Sequence, residues 1–131
     1  RSAAEQGHAQ AQFHLGNMLY RGQGVEKNVK EAVQWYRAAA EQGDAPAQYN
    51  LGSILYNGQG VENNDKEGVQ WIRTAAEQGH AQAQFNLGSM TENSEGVTKN
   101  DKEAVYWYRS AAEQGDAQAH FDLGIMIHSG R

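Results

Sequence analysis

The chain repeats itself every 36 residues, and such a period decides the fold class before any single residue is interpreted. Gly7, Gly43, Gly79 and Gly115 stand 36 apart. The same spacing relates Leu15, Leu51, Leu87 and Leu123, each followed by Gly, and Trp35, Trp71 and Trp107. The 131 residues therefore divide as a single repeat domain: 1–7 as the end of a preceding helix, then units 8–43, 44–79 and 80–115, and 116–131 as the first helix of an incomplete unit.

Each unit reads as two helices. Helix A begins after the Gly that closes the preceding helix, at His8, Asp44, His80 or Asp116, and its apolar residues recur at helical spacing from Ala9 to Tyr20. Pro46 fits because it lies in a first turn, where a missing N–H breaks no helical bond. Helix A stops at Gly22–Val25, and at Gly58–Val61 in the next unit. Helix B opens with Asn28 and Glu31, Asn64 and Glu67, or Asn100 and Glu103, a spacing that predicts a capping box, in which the Asn and Glu side chains each accept an orphan backbone N–H. On a helical wheel Ala32, Val33, Tyr36, Ala39 and Ala40 share one stripe with Trp35 at its edge, and Lys30, Gln34, Arg37 and Glu41 lie opposite.

Composition matters here because it argues the other way. Leu, Ile, Val and Phe make up only about 15% of the chain, in the range where disorder becomes an option, and the mean hydropathy is -0.81. A repeat removes the difficulty. Ala-rich faces with Trp and Tyr anchors let neighbouring units supply the burial that a lone helix pair lacks.

The recurring string AAEQGDAxAQxxLGxxLYxGQGVExNxKEAVxWYRxA resembles the Sel-one-like repeat (SLR) family, tetratricopeptide-related α-solenoids, in about 3.6 copies over the whole chain. A plain tetratricopeptide repeat is the nearest rival, but its period is shorter and it lacks the Gly-x-Gly-Val loop. The resemblance implies an all-α fold, a right-handed superhelical α-solenoid (α/α superhelix) of antiparallel helix pairs with helix A on the concave side. It also implies a scaffold or adaptor that brings other proteins together.

The face of helix A opposite its packing side, lined up by stacking as a groove on the concave side, is where a partner is expected. Gln10, Phe13, His14, Asn17, Tyr20 and Arg21 share that face, with Ala11, Leu15, Gly16, Met18 and Leu19 on the packing side. The matching groups are Pro46, Tyr49, Asn50, Ser53, Tyr56 and Asn57; then Gln82, Phe85, Asn86, Ser89, Glu92 and Asn93; then Gln118, Phe121, Asp122, Ile125 and His128. Rings supply contact area and amides bond main-chain groups, which suits an extended peptide or a partner helix. The competing reading makes Phe13, Tyr49, Phe85 and Phe121 inter-repeat core. The carboxylate clamp of some tetratricopeptide domains needs Lys or Arg where this chain has Phe13 and Tyr49, so carboxylate-terminal tails are not favoured.

The third unit departs from the pattern: Thr91 replaces a core Leu, Ser94 stands where other units have Gly, and Glu92 and Glu95 add negative charge at a helix C-terminus. This is either drift or a local functional feature. Residues 1–7 repeat 109–115 letter for letter and Gly130 matches Gly22, which reads as a segment of a longer solenoid whose uncovered ends, with Leu123, Met126 and Ile127, expect self-association or further repeats.

Other chemistry is not expected. With no Cys there is neither a thiolate metal site nor a cysteine nucleophile. The five His have no paired ligand spacing, His8 and His80 reading as caps, and no cofactor or metal is expected. Gly22-Gln23-Gly24 follows a helix and lacks the third Gly of a dinucleotide loop, and the hydrolase motifs are missing. A net charge of -5 without a basic cluster argues against nucleic acid, and no apolar run is long enough for membrane insertion. The reading is therefore a non-enzymatic module for an unidentified protein or peptide. A self-associating structural array is the alternative. β-Lactam binding or hydrolysis, described for some Cys-rich members of the family, is disfavoured because those Cys and any nucleophile–base pair are absent.

Overall fold

The computed structural model describes Ala4 and residues 6–58, 64–93 and 100–114. Among these residues the chain is all-α, with six helices: α1 (Ala9–Arg21), α2 (Val29–Glu41), α3 (Ala45–Asn57), α4 (Asp65–Glu77), α5 (Ala81–Asn93) and α6 (Asp101–Glu113). The odd-numbered helices are the A helices of the repeat and the even-numbered ones the B helices. The chain forms two compact units, Arg1–Trp71 and Ile72–Arg131.

The turn chemistry falls where the glycines stand. Gly22 takes φ 73° and its N–H returns to Met18 O, closing α1 in the left-handed conformation that a side chain disfavours. At the end of α2, Gly43 takes φ 92°, its N–H bonds Ala40 O at 3.0 Å and the Asp44 N–H bonds Ala39 O at 3.2 Å, a Schellman closure. Asp44 caps α3 by accepting from the Ala47 N–H at 3.0 Å, and His80 Nδ1 does the same for Ala83 at 3.2 Å. His8 is the exception to the capping expectation: its side chain makes no cap bond.

Only half of the expected capping box forms. Asn28, Asn64 and Asn100 accept from the N–H of Glu31, Glu67 and Glu103 at 3.0, 3.2 and 3.0 Å. Their own N–H groups do not go to those Glu side chains. They bond Leu19 O, Leu55 O and Thr91 O, near the end of the preceding A helix, at 2.8, 2.8 and 2.7 Å. The carboxylates are thus released, and each accepts the indole N–H of the Trp four residues on, Glu31 from Trp35 at 3.2 Å, Glu67 from Trp71 at 3.1 Å and Glu103 from Trp107 at 3.4 Å. Glu67 also pairs with Arg37, and Glu103 with Arg73 at 3.1 Å, so a B helix is tied to the first turn of the next one.

In the first unit α1 packs antiparallel to α2, and α2 packs on α3. The predicted stripe of α2, Ala32, Val33, Tyr36, Ala39 and Ala40, is the buried set, joined by Leu15, Leu19, Leu51, Ile54 and Leu55. Gly16 lies under the Tyr36 ring, where an added Cβ would meet Cδ1 and Cε1 at 2.8 Å, and Gly88 lies under Tyr108 in the same way at 2.9 Å. One residue of α1 contradicts its wheel position. Met18, assigned to the packing side, is exposed. Gln12 is buried, as are Gln48 and Gln84, and each donates at 3.1 Å to a carbonyl near the C-terminus of the preceding B helix: Ala4, Ala40 and Ala76. These carbonyls belong to a last turn that lacks helical partners, so a buried amide beside them is satisfied rather than costly.

In the second unit α5 packs on α6, with Ala104, Tyr108, Ala111 and Ala112 at the core. Thr91 is buried where the other units carry Leu, and its hydroxyl donates back to Leu87 O and Gly88 O at 3.0 Å each, which removes the cost of the polar group.

Glu67 gives a pH-dependent prediction. The Arg37 guanidinium holds its carboxyl below the ordinary 4.5, with a smaller contribution from Trp71, against burial acting the other way. A carboxylate with a lowered folded value stabilises above its unfolded pKa, and the contribution is lost as pH falls through the folded value. The stability gap between the parent chain and Glu67→Gln should therefore be full near neutrality and shrink below about pH 4.5. Urea midpoints measured across that range check it; a gap independent of pH counts against the assignment.

Candidate functional site

The A-helix face folds into a pocket in the first unit. Asn17, Tyr20 and Arg21 come from α1, Asn50, Ser53 and Ile54 from α3, and Tyr36 of α2 forms a wall between them, around a volume of about 170 Å³. Helical spacing explains the first group, since residues three and four apart share a face, and the antiparallel α2 brings Tyr36 to the same place. The Tyr36 hydroxyl donates to Asn17 Oδ1 at 2.5 Å, and Asn50 Nδ2 lies 3.4 Å from the same oxygen. Burial pushes the Tyr36 phenol above its ordinary value of 10.0, against the opposing effects of the Asn50 hydrogen bond and the nearby Arg21 charge. At the pocket wall Ser53 Oγ is buried without a hydrogen-bond partner. The matching residue of α1 is Asn17, whose partner is Tyr36; 36 residues after Tyr36 the sequence has Ile72, which carries no hydroxyl.

The structure thus gathers Asn17, Tyr20, Arg21, Asn50 and Ser53 of the sequence-derived face. Gln10 is exposed at the start of α1, outside the pocket. Phe13 is half-buried with its ring centroid 6.0 Å from that of Tyr36 of the same repeat, and His14 stands beside it, 5.6 Å between centroids. Tyr49 and Tyr56 are half-buried on α3, and Asn57 is exposed as its last residue. Lys27 Nζ lies 5.9 Å from the Tyr20 ring centroid, a cation over an aromatic face at the pocket edge.

The second unit repeats the theme with different partners. Phe85 packs on Tyr108 at 5.6 Å between centroids, and the Tyr108 hydroxyl donates to Glu92 Oε1 at 2.9 Å. Ser89, which replaces the Asn at position 17, is 3.4 Å from Asn93 Nδ2, and Asn86 Oδ1 accepts from Gln82 at 3.2 Å. The negative charge expected to disfavour the end of α5 has a hydroxyl partner. Gln118, Phe121, Asp122, Ile125 and His128, the end residues Leu123, Met126, Ile127 and Gly130, and Ser94 and Glu95 lie outside the described residues, as do Arg1, Ser2, Ala3 and Glu5.

Sequence reading missed Tyr36 as a pocket residue. It was placed correctly in the core stripe, and only its hydroxyl, reaching back 19 positions to Asn17, makes it a wall of the site. No cluster of three or more His, Asp or Glu that could hold a metal occurs among the described residues, and no described helix is long and apolar enough to cross a membrane.

The Sel1 repeat model matches residues 9–44, 45–80 and 81–116 in succession. Among solved structures, a Sel1 repeat protein from Oxalobacter formigenes is 47% identical with a TM-score of 0.92, over 95% of this chain and 50% of its own. The protective antigen c5321 of uropathogenic Escherichia coli, with an SLR fold, is 41% identical at a TM-score of 0.93, over 98% of this chain and 27% of its own. Helicobacter pylori cysteine rich protein B shares the fold, with a TM-score of 0.75 and 24% identity over 93% of both chains. The chain thus spans half the length of the first of these proteins and about a quarter of the second. Among curated proteins none matches it by sequence.

Proposed function

The chain belongs to the Sel1 repeat family, whose repeats generally mediate protein–protein interactions, and from that membership we propose that it is a binding module whose A-helix face receives an extended segment of a partner protein. The observation that supports this reading best is the pocket on the first unit: a recess of about 170 Å³ edged by Tyr20 and Arg21 and furnished with Asn17 and Asn50. Aromatic edges exclude water around a bound side chain, while amides can pair with the main chain of an extended peptide. On the first unit, Gln10, Tyr49, Tyr56 and Asn57, outside the pocket, are proposed to extend the contact; on the second unit, Phe85, Asn86, Ser89 and Glu92 are proposed to form the corresponding face of that unit. No acid–base or nucleophilic arrangement competes with binding as the role of these residues.

The test is a binding measurement on peptides selected for affinity to the chain from a displayed random library. Truncating an aromatic at such a site typically costs upwards of about 1 kcal/mol. The double variant Tyr20→Ala, Tyr56→Ala should therefore bind them at least about tenfold more weakly while retaining its helical signal. Unchanged affinity in the double variant rejects the A-helix face as the binding surface.

A further inference from the structure

The pocket of the first unit sets one guanidinium, Arg21, among neutral amides and hydroxyls. No Asp or Glu lines it. Asn17 Oδ1 already accepts the Tyr36 hydroxyl and faces Asn50 Nδ2, so the acceptor is occupied while the Asn17 amide N–H groups are not engaged among the described residues. Ser53 Oγ is buried and unpaired. Arg21 is exposed at the rim and forms no ion pair among the described residues. A recess with spare donors, one guanidinium and no carboxylate is complementary to an anionic oxygen group.

We propose that this pocket takes the carboxylate side chain of an Asp or Glu within an extended partner segment. The proposal rests on the binding-module reading and specifies its chemistry. A single carboxylate matches one guanidinium with neutral donors around it, two oxygens shared between Arg21 and the Asn17 and Ser53 side chains. A phosphomonoester, which carries about two negative charges near neutral pH, calls for a denser set of cations than this pocket has. The whole chain carries a net charge of -5, so attraction here comes from local donors rather than from an overall positive field.

The probes are the library-selected peptides, synthesised with free and with amidated C-termini and with the acidic position filled by Glu, Gln or phosphoserine. Selected peptides are expected to share an Asp or Glu at one position, and Gln there should weaken binding about tenfold, the usual size of a lost charge-assisted hydrogen bond. Arg21→Gln should remove most of the difference between Glu and Gln peptides, Arg21→Glu should reverse it, and Arg21→Lys should retain part of it. Amidation should change nothing. Peptides without a shared acidic residue, or equal affinity for Glu and Gln, overturn the carboxylate assignment and leave the module reading standing. Dependence on a free C-terminus moves the carboxylate to the chain end and overturns the side-chain proposal, as tighter binding of phosphoserine than of Glu does in favour of phosphate. If no selected peptide is weakened by Tyr20→Ala, Tyr56→Ala, the module reading itself fails.

Discussion

Replacing Tyr36 by Ala will destabilise the first unit by about 3 kcal/mol or more. The side chain is only 1% exposed and holds three things at once: the Phe13 ring, the surface of α1 left open by Gly16, and Asn17 Oδ1. Deleting it removes the filler of that gap, and α1 cannot close on α2 without displacing Leu15 and Leu19. The effect falls at the lower end of the range for buried aromatics because the space joins the pocket, where water can enter. Tyr36→Phe separates ring from hydroxyl: it keeps the packing and should cost about 1 kcal/mol, the net worth of one hydrogen bond. Urea unfolding and amide exchange in α1 to α3 measure both, exchange being needed because an array of repeats can unfold in stages. A Tyr36→Ala chain within 1 kcal/mol of the parent would remove Tyr36 as the keystone of this unit.

Gly68→Ala is the second, and its sign separates sequence reasoning from structure. At the matching positions the B helices carry Ala32 and Ala104, both wholly buried, and Ala is the better helix former by about 1 kcal/mol. Internal comparison of the repeats therefore predicts a gain. The structure predicts a loss. A Cβ at Gly68 would stand 2.7 Å from Gly52 O, 2.8 Å from Tyr56 N and 3.0 Å from Tyr56 Cβ. Two of these are backbone atoms that cannot rotate aside, so α4 would have to move off α3. Overpacking of this kind costs about 1–3 kcal/mol, which outweighs or cancels the propensity gain and leaves a net loss of about 1 kcal/mol. A lower denaturation midpoint for the variant is expected; a higher one would show that the two helices are less closely seated than described.

Element types and bounds were legible because they depend on short-range periodicity. The wheel that selected Ala32, Val33, Tyr36, Ala39 and Ala40 uses nothing beyond the 3.6-residue turn, and the buried set of α2 is the same five residues. The glycine stops are equally local. The errors arise where two elements compete for one group. Spacing placed Glu31 near the Asn28 N–H, but the Leu19 carbonyl reaches that N–H first, and the carboxylate goes to Trp35 instead. The helical wheel gives Gln12 no place and Gln is a type usually exposed; the last turn of the preceding B helix provides a carbonyl that makes its burial acceptable. Its recurrence at Gln48 and Gln84 was the available signal. On the A-helix face, helical spacing groups Asn17, Tyr20 and Arg21 on α1 and Asn50 and Ser53 on α3, whereas the pocket they share, with Tyr36 as its wall, follows only from packing.

By itself the sequence determined the 36-residue period, the helix pairs, the Asn caps and glycine stops that bound them and the apolar stripe, since each follows from backbone geometry and from side chains a few positions apart. Tertiary structure decided which polar groups meet across helices, how closely α3 and α4 approach, and that Asn17, Arg21, Asn50 and Ser53 converge on Tyr36. The physical reason is range. Helix formation is settled within a turn, but a hydrogen bond between residues 19 positions apart, or a contact that only Gly68 permits, depends on interhelical distances fixed by all the packed side chains together.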